Sequence, residues 1–414
     1  MIIPSIDIRR GRAVQLIGGK AQALDGGDPL EVAERFSIAG PLAVIDLDAA
    51  FGEGDNLPII EQLVRRYPCR VGGGIRSKER ALELLDLGAE QIILGTAATP
   101  ELLGQLPRDR LIAALDAIDG KIVVDGWREQ TEQRTDARLV ELRDYVCGFL
   151  LTFVEHEGRM QGTDLARAKT LVDLAQSAKV TIAGGITTAE EIATLDAMGA
   201  DAQVGMAIYR GTLKLGDAIS ACLRSDRPDG LWPTVVCDDN GRALGLCYSS
   251  AESLRIALDE QRGVYHSRRR GVWRKGESSA NRQRLLRVDV DCDRDTLRFV
   301  VEQQGSGFCH RDTRSCWTRE DDGLGALQRR LLERKQSAPA GSYSRKLLDD
   351  RQLLSAKLLE EAEELAQAAT RDEVIWEAAD LIFFTQVAMT SVGVTLADVD
   401  RELQRRALRV RRRD

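Results

Sequence analysis

Two short stretches of this chain interleave residue types that bind metal ions. In VDVDCDRD, from Val288, the carboxylates Asp291, Asp293 and Asp295 recur at every second position. On an extended segment that spacing sets all three on one side, a hard oxygen site suited to Mg2+. Cys292 then points the other way. Together with Cys309 and Cys316 of CHRDTRSC it offers three thiolates. Three protein ligands with one open position is the pattern of catalytic zinc, which lowers the pKa of a bound water toward about 7. A solvated acidic turn or three buried thiols are the plain alternatives, and the interleaving argues against both together. Between these stretches and the chain's middle lies YHSRRRGVWRKGESSAN. It supplies Arg268, Arg270, Arg274 and Lys275 for phosphate, and Tyr265 and Trp273 for a base, although a charged hairpin face would read the same way.

A second acidic pattern follows in KLLEEAEELAQAATRDEVIWEAADLIFF, from Lys357. Glu360, Glu361 and Glu364 precede Glu377 and Asp380. The spacings Glu360–Glu364 and Glu377–Asp380 place each pair on one helix face. Two such helices packed together converge four or five carboxylates, which repel unless cations neutralise them, so Mg2+ is expected. Mg2+ between phosphates and an activated water suits cleavage of a pyrophosphate bond. A glutamate-rich helix is usually only surface, but Asp380 sits among apolar residues.

In the first part of the chain, Asp7 and Asp116 each follow an apolar run. The first 226 residues alternate short apolar runs with helical patterns, and eight βα units of this length imply a (β/α)8 TIM barrel. Strands are expected at Ile2–Ile6, Ala43–Leu47, Cys69–Gly72, Gln91–Leu94, Leu111–Leu115, Phe149–Thr152, Thr181–Ala183 and Asp201–Val204. Barrel sites lie at the C-terminal strand ends, so Asp7 and Asp116 face each other as a general acid–base pair. An internal repeat supports the barrel. VGGGIRSKERALELLDLGAEQIILGTAA matches IAGGITTAEEIATLDAMGADAQVGMAI at an offset of 111, and IPSIDIRRGRAV matches IAALDAIDGKIV at 109. The repeat duplicates the turns Gly73–Gly74 and Gly95–Thr96 as Gly184–Gly185 and Gly205–Met206. Glycine lets backbone N–H groups approach phosphate, so two cradles predict an elongated substrate with a phosphate at each end.

Beyond the polar RSDRPDG segment the pattern becomes strand-rich, and from Leu324 almost wholly helical. The expected organisation is multidomain: a barrel over 1–226, a small α+β domain over 227–322 and an all-α domain over 323–414. Bulk properties fit a folded, ordinary protein of 414 residues with 43% hydrophobic and 30% charged residues. A net charge of −7 argues against a nucleic-acid binder. No apolar run reaches membrane-spanning length and the N-terminus reads as a strand, so no membrane association and a cytoplasmic location are expected. The basic run Arg405–Arg413 reads as a solvated helix end.

The residues quoted carry three resemblances. The barrel, through IPSIDIRRGRAVQL, VIDLDAAFGEGDN, VGGGIRS and DGWRE, resembles ProFAR isomerase. That implies Asp7 and Asp116 as the acid–base pair of an Amadori rearrangement, with Thr152 orienting the substrate. His156-Glu157-Gly158 departs from that family's usual Arg-Asp-Gly. The 230–320 segment resembles phosphoribosyl-AMP cyclohydrolase. This implies hydrolysis between N1 and C6 of the adenine ring, Zn2+ on Cys292, Cys309 and Cys316, Mg2+ on Asp291, Asp293 and Asp295, and proton transfer assisted by His266. The 324–408 segment resembles phosphoribosyl-ATP pyrophosphohydrolase, which implies Mg2+ on Glu360, Glu361, Glu364, Glu377 and Asp380, and Lys357 as a phosphate contact. Together the resemblances imply consecutive steps of histidine biosynthesis on phosphoribosyl nucleotides, and a homodimer. The alternative is a bifunctional hydrolase whose barrel binds phosphosugar without turning it over.

Overall fold

The computed structural model describes residues 1–19, 21–317, 321–339 and 341–410. Eight parallel strands close a barrel: β1 (Ile2–Arg9), β2 (Leu42–Asp46), β3 (Cys69–Gly72), β4 (Gln91–Leu94), β5 (Leu111–Ile118), β6 (Gly148–Phe153), β7 (Lys179–Ala183) and β8 (Ala200–Val204). Each pairs in parallel with its neighbours in chain order, and β8 returns to β1. Strands covered on both faces need unbroken apolar runs. Accordingly Ile93, Ile112, Leu150 and Ala183 fill the interior, backed by Ile45 and Ala114. The opposite faces of the strands, such as Val44 and Ile92, are fully buried as well.

The sequence repeat is a structural repeat. Ser77 and Thr188, 111 positions apart, each cap a helix by accepting a backbone N–H, for Lys78–Leu87 and Ala189–Ala197 respectively. Arg10 and Asp119, 109 apart, both hold positive φ, at 51° and 49°, and the glycines that follow them do too. Each pair turns the chain into a hairpin extension. Arg12–Ile17 pairs with β1, and Lys121–Val124 with β5. The expected strand ends after Asp7 and Asp116 therefore run two residues further, because antiparallel partners prolong them beyond the barrel.

The barrel shares its compact unit with a four-stranded sheet, in the order Ala243–Ser249, Trp232–Asp238, Leu297–Gln303, Gln283–Val290. The Ala251–Glu260 helix and the Val264–Ser267/Gly271–Arg274 hairpin accompany it. The helices Leu215–Cys222 and Ala251–Glu260 cross so closely at Gly216 that a Cβ there would lie 2.4 Å from the Arg255 Cα. Lys214 pairs with Asp259 at 3.8 Å beside that crossing.

Residues 404–410 also belong to this unit. Arg110 Nη1 donates to the Leu408 carbonyl at 2.8 Å, and Val410 N donates to Asp86 Oδ1 at 3.0 Å. The described part of the basic run is thus docked through its backbone, where a solvated end was expected; residues 411–413 of that run lie outside the described residues.

The second compact unit, 239–242 and 306–403, is mainly helical: Gly323–Ser337, Tyr343–Asp349, Arg351–Gln367 and Arg371–Val392. Leu331, Leu347, Leu354, Phe384 and Val387 form its core. Among the described residues, no single helix is long and apolar enough to cross a membrane.

Candidate functional site

The mouth of the barrel opens into a cavity of about 360 Å3, within the range of small-molecule sites. Asp7, Asp116, Thr152 and both sets of repeated glycine turns line it. The duplicated turns share a backbone shape. Gly73 and Gly184 have φ of +97° and +96°, and a Cβ would lie 2.2 Å from the Asp46 carbonyl at one and 2.4 Å from the Phe153 carbonyl at the other. Only glycine fits both demands, which leaves bare backbone facing the cavity.

Each catalytic candidate has its own support. Ser5 Oγ donates to Asp7 Oδ1 at 2.8 Å, and Trp127 Nε1 donates to Asp116 Oδ2 at 2.8 Å. Thr152 lies opposite Asp116 in the β5–β6 register and hydrogen-bonds it. Burial lifts the Asp7 carboxyl to about 6 despite the Ser5 hydrogen bond. Burial lifts Asp116 too, against the pull of Thr152 and Trp127. A carboxyl raised to about 6, as in Asp7, can hold and release a proton near neutral pH.

Sequence reasoning gave no role to Glu157, yet it lines the same cavity. Burial first, then the charges of Asp7 and Asp116, push its carboxyl up to about 8. The only signal was its place in the loop after β6, within the triplet that departs from the resembled family. Its raised pKa has a stability consequence with a definite sign. Between about pH 4.5 and 8 the folded chain binds a proton that the unfolded chain has lost, so stability falls as pH rises across that window. Glu157→Gln is expected to flatten this slope and to stabilise the barrel at pH 8. Urea midpoints measured from pH 5 to 8 check it, and an unchanged slope refutes it.

In the sheet half, the strand ends at Val290 and the acidic residues follow on a turn. The expected strand alternation is therefore not what gathers them. Asp291 Oδ1 accepts the N–H groups of Asp295 and Thr296, at 3.0 and 3.1 Å, and folds the segment back on itself. One carboxylate oxygen from each of Asp291, Asp293 and Asp295 then lies within 4.8 Å of the others. Such a donor set fits a hard divalent cation.

Cys292 is exposed in this unit. In the other unit Cys309 is buried and Cys316 exposed. Burial opposes ionisation of Cys309, but hydrogen bonds from the Arg311 backbone, Thr313 and Cys316 outweigh it and lower its pKa. A thiol held toward thiolate is the form that ligates a soft metal.

Of the expected phosphate and base contacts, Arg270 and Lys275 lie over the Trp273 ring, at 5.9 and 5.4 Å. Arg268 lies over Tyr248 at 5.9 Å. Arg274 is instead committed to Glu260. Tyr265 is fully buried, its hydroxyl donating to Gln283 Oε1 at 2.6 Å, so it belongs to the core. His266 Nδ1 is buried with no hydrogen-bond partner among the described residues.

In the helical unit, Glu361, Glu364 and Glu377 bring one carboxylate oxygen each within 4.8 Å of the others. Burial, then the charges of Asp380 and Glu364, raise the Glu361 carboxyl. Three of the five expected acids thus converge, while Asp380 and Glu360 act on Glu361 through their charge. Glu360 itself holds Lys357 at 2.8 Å on the adjoining face.

Three family models match the chain in succession: histidine biosynthesis protein over residues 1–214, phosphoribosyl-AMP cyclohydrolase over 245–318, and phosphoribosyl-ATP pyrophosphohydrolase over 324–407. A histidine biosynthesis trifunctional protein of Neurospora crassa is 38% identical over 347 residues, covering 82% of this chain and 37% of that protein. A histidine biosynthesis bifunctional protein of Schizosaccharomyces pombe is 49% identical over 49% of this chain and 48% of its own length. The chain therefore spans less than half of either fungal relative. An imidazole-4-carboxamide isomerase of Methanocaldococcus jannaschii is 35% identical over 53% of this chain and 98% of its own. A barrel with two glycine cradles around paired aspartates, matched over 1–214, places this chain in the histidine biosynthesis protein family.

Proposed function

We propose that the chain carries out three consecutive steps of histidine biosynthesis. It removes pyrophosphate from phosphoribosyl-ATP, opens the adenine ring of phosphoribosyl-AMP by hydrolysis, and isomerises the resulting ProFAR to PRFAR. The observation that carries this reading is the barrel cavity, in which Asp7 and Asp116 stand between duplicated glycine turns. ProFAR is an elongated molecule with a phosphate at each end, which such a cavity accommodates.

In the barrel, Asp116 is fixed by Trp127 and Thr152, and Asp7 by Ser5. One carboxyl protonates the ring oxygen of the aminoaldose as the sugar opens, and the other takes the proton from the adjacent carbon.

By the cyclohydrolase resemblance, Cys292, Cys309 and Cys316 would hold Zn2+, which would supply an activated water. Asp291, Asp293 and Asp295 would hold Mg2+, neutralising phosphate. His266, with its free buried nitrogen, moves a proton at the ring, while Arg268, Arg270 and Lys275 bind the anionic ends and Trp273 faces the base. In the helical unit, Glu361, Glu364, Glu377 and Asp380 would hold Mg2+, which polarises the phosphate being cleaved. Lys357 orients that substrate.

Two further parts belong to the reading. The chain works as a homodimer, which agrees with Leu359 and Trp376 being 71% and 70% exposed on the helical unit. It works in the cytoplasm, which agrees with eight free cysteines.

The test supplies phosphoribosyl-ATP as the only substrate to the purified chain, identifies products and measures bound metals. Pyrophosphate and PRFAR, with bound zinc and a requirement for Mg2+, are expected. Accumulation of ProFAR would identify the barrel as a non-catalytic phosphosugar binder, and no turnover at all would overturn the reading.

A further inference from the structure

The acidic turn of the sheet half contains a residue that its cation chemistry does not use. Arg294 sits between Asp293 and Asp295 at φ +68°, a conformation that non-glycine residues seldom keep without support. Its side chain turns to the barrel, where Nε meets Asp196 Oδ2 at 2.6 Å. Its carbonyl accepts the Arg224 N–H at 2.7 Å, from the segment that leaves the barrel.

The barrel partner is built to receive a cation. Asp196 stands in the last turn of the Ala189–Ala197 helix with its side chain only 6% exposed. A carboxylate at a helix C-terminus is unfavourable unless positive charge compensates it. Two cations do so: the Met1 ammonium at 2.7 Å on Oδ1 and Arg294 on Oδ2.

The turn is therefore held on two sides. Asp291 closes it from within by accepting two backbone N–H groups, and Arg294 ties it to the barrel. Three carboxylates within 4.8 Å repel one another, and rotation at Arg294 is the simplest way for the turn to relax. We propose that Arg294 is a positioning residue, through which Asp196 of the barrel holds the three carboxylates converged and so sets the affinity of the sheet half for its divalent cation. The inference rests on the cation reading given above for Asp291, Asp293 and Asp295.

Mn2+ titration of the full chain, followed by the loss of the free-ion EPR signal, tests both parts separately. The binding phase that Asp293→Asn removes defines this site. Arg294→Ala and Asp196→Asn are each expected to weaken that phase about ten-fold, the scale on which groups supporting metal ligands act. Arg294→Lys, which keeps the charge, is expected to recover most of it. Asp196→Asn leaves the sequence of the turn untouched, so its effect does not depend on how the turn tolerates alanine. If Asp293→Asn removes no phase, the cation reading itself fails. If the phase exists and Asp196→Asn leaves it unchanged, the barrel does not position the site and the proposal falls.

Discussion

Asp7→Asn is expected to slow conversion of ProFAR about 10²–10⁴-fold, the usual contribution of a positioned acid or base. Pyrophosphate release and adenine ring opening should continue at their original rates. Asparagine matches the shape of the carboxyl and can still accept the Ser5 hydroxyl, so the barrel keeps its fold. What it loses is a proton site that burial has raised to about 6. ProFAR should then accumulate in a reaction begun from phosphoribosyl-ATP, visible by chromatography. Unchanged PRFAR formation would remove Asp7 from the chemistry and leave Asp116 and Glu157 to account for it.

Glu361→Gln should abolish most pyrophosphate release, by at least about 100-fold, since losing a ligand costs no less than losing its supports. The same change should stabilise the metal-free helical unit near neutral pH. Burial and the charges of Asp380 and Glu364 raise this carboxyl, so its ionisation is a burden that grows as pH rises past its ordinary range. Mg2+ should raise the thermal midpoint of the wild-type unit and have little effect on the variant. A Glu361→Gln protein that still releases pyrophosphate, or that is destabilised without metal, would remove the carboxylate cluster as the site.

The parts of this molecule that were legible in its sequence are those with a strict period. Eight βα units and an offset of 111 were enough for the barrel, because glycine at 73 and 184 meets the same backbone obstruction. The carboxylates on the two helices were legible because a spacing of three or four fixes a face. The hairpins after β1 and β5 were not, since no residue of their strands Ala21–Gly27 and Glu129–Arg134 is buried and neither carries an apolar alternation. The acidic turn was found for a partly mistaken reason: the spacing was right, but a turn closed by Asp291 does the gathering. Spacing places Glu360 and Glu361 side by side and cannot say which of them joins Glu364 and Glu377; in the fold Glu361 does, and Glu360 pairs with Lys357. Glu157 and Arg294 escaped notice because their importance comes from neighbours more than 35 residues away in sequence.

The return of residues 404–410 to the barrel unit makes the helical unit an insertion, anchored where it begins and again where it finishes. When such a segment melts locally, its two ends cannot drift apart, and the entropy gained on melting is smaller. For a closed span of about a hundred residues the difference reaches up to roughly 4–5 kcal/mol. Deleting the chain from Gln404 onward should thus make the helices from Gly323–Ser337 to Arg371–Val392 melt sooner, although the cut falls beyond them, within Leu396–Ala407.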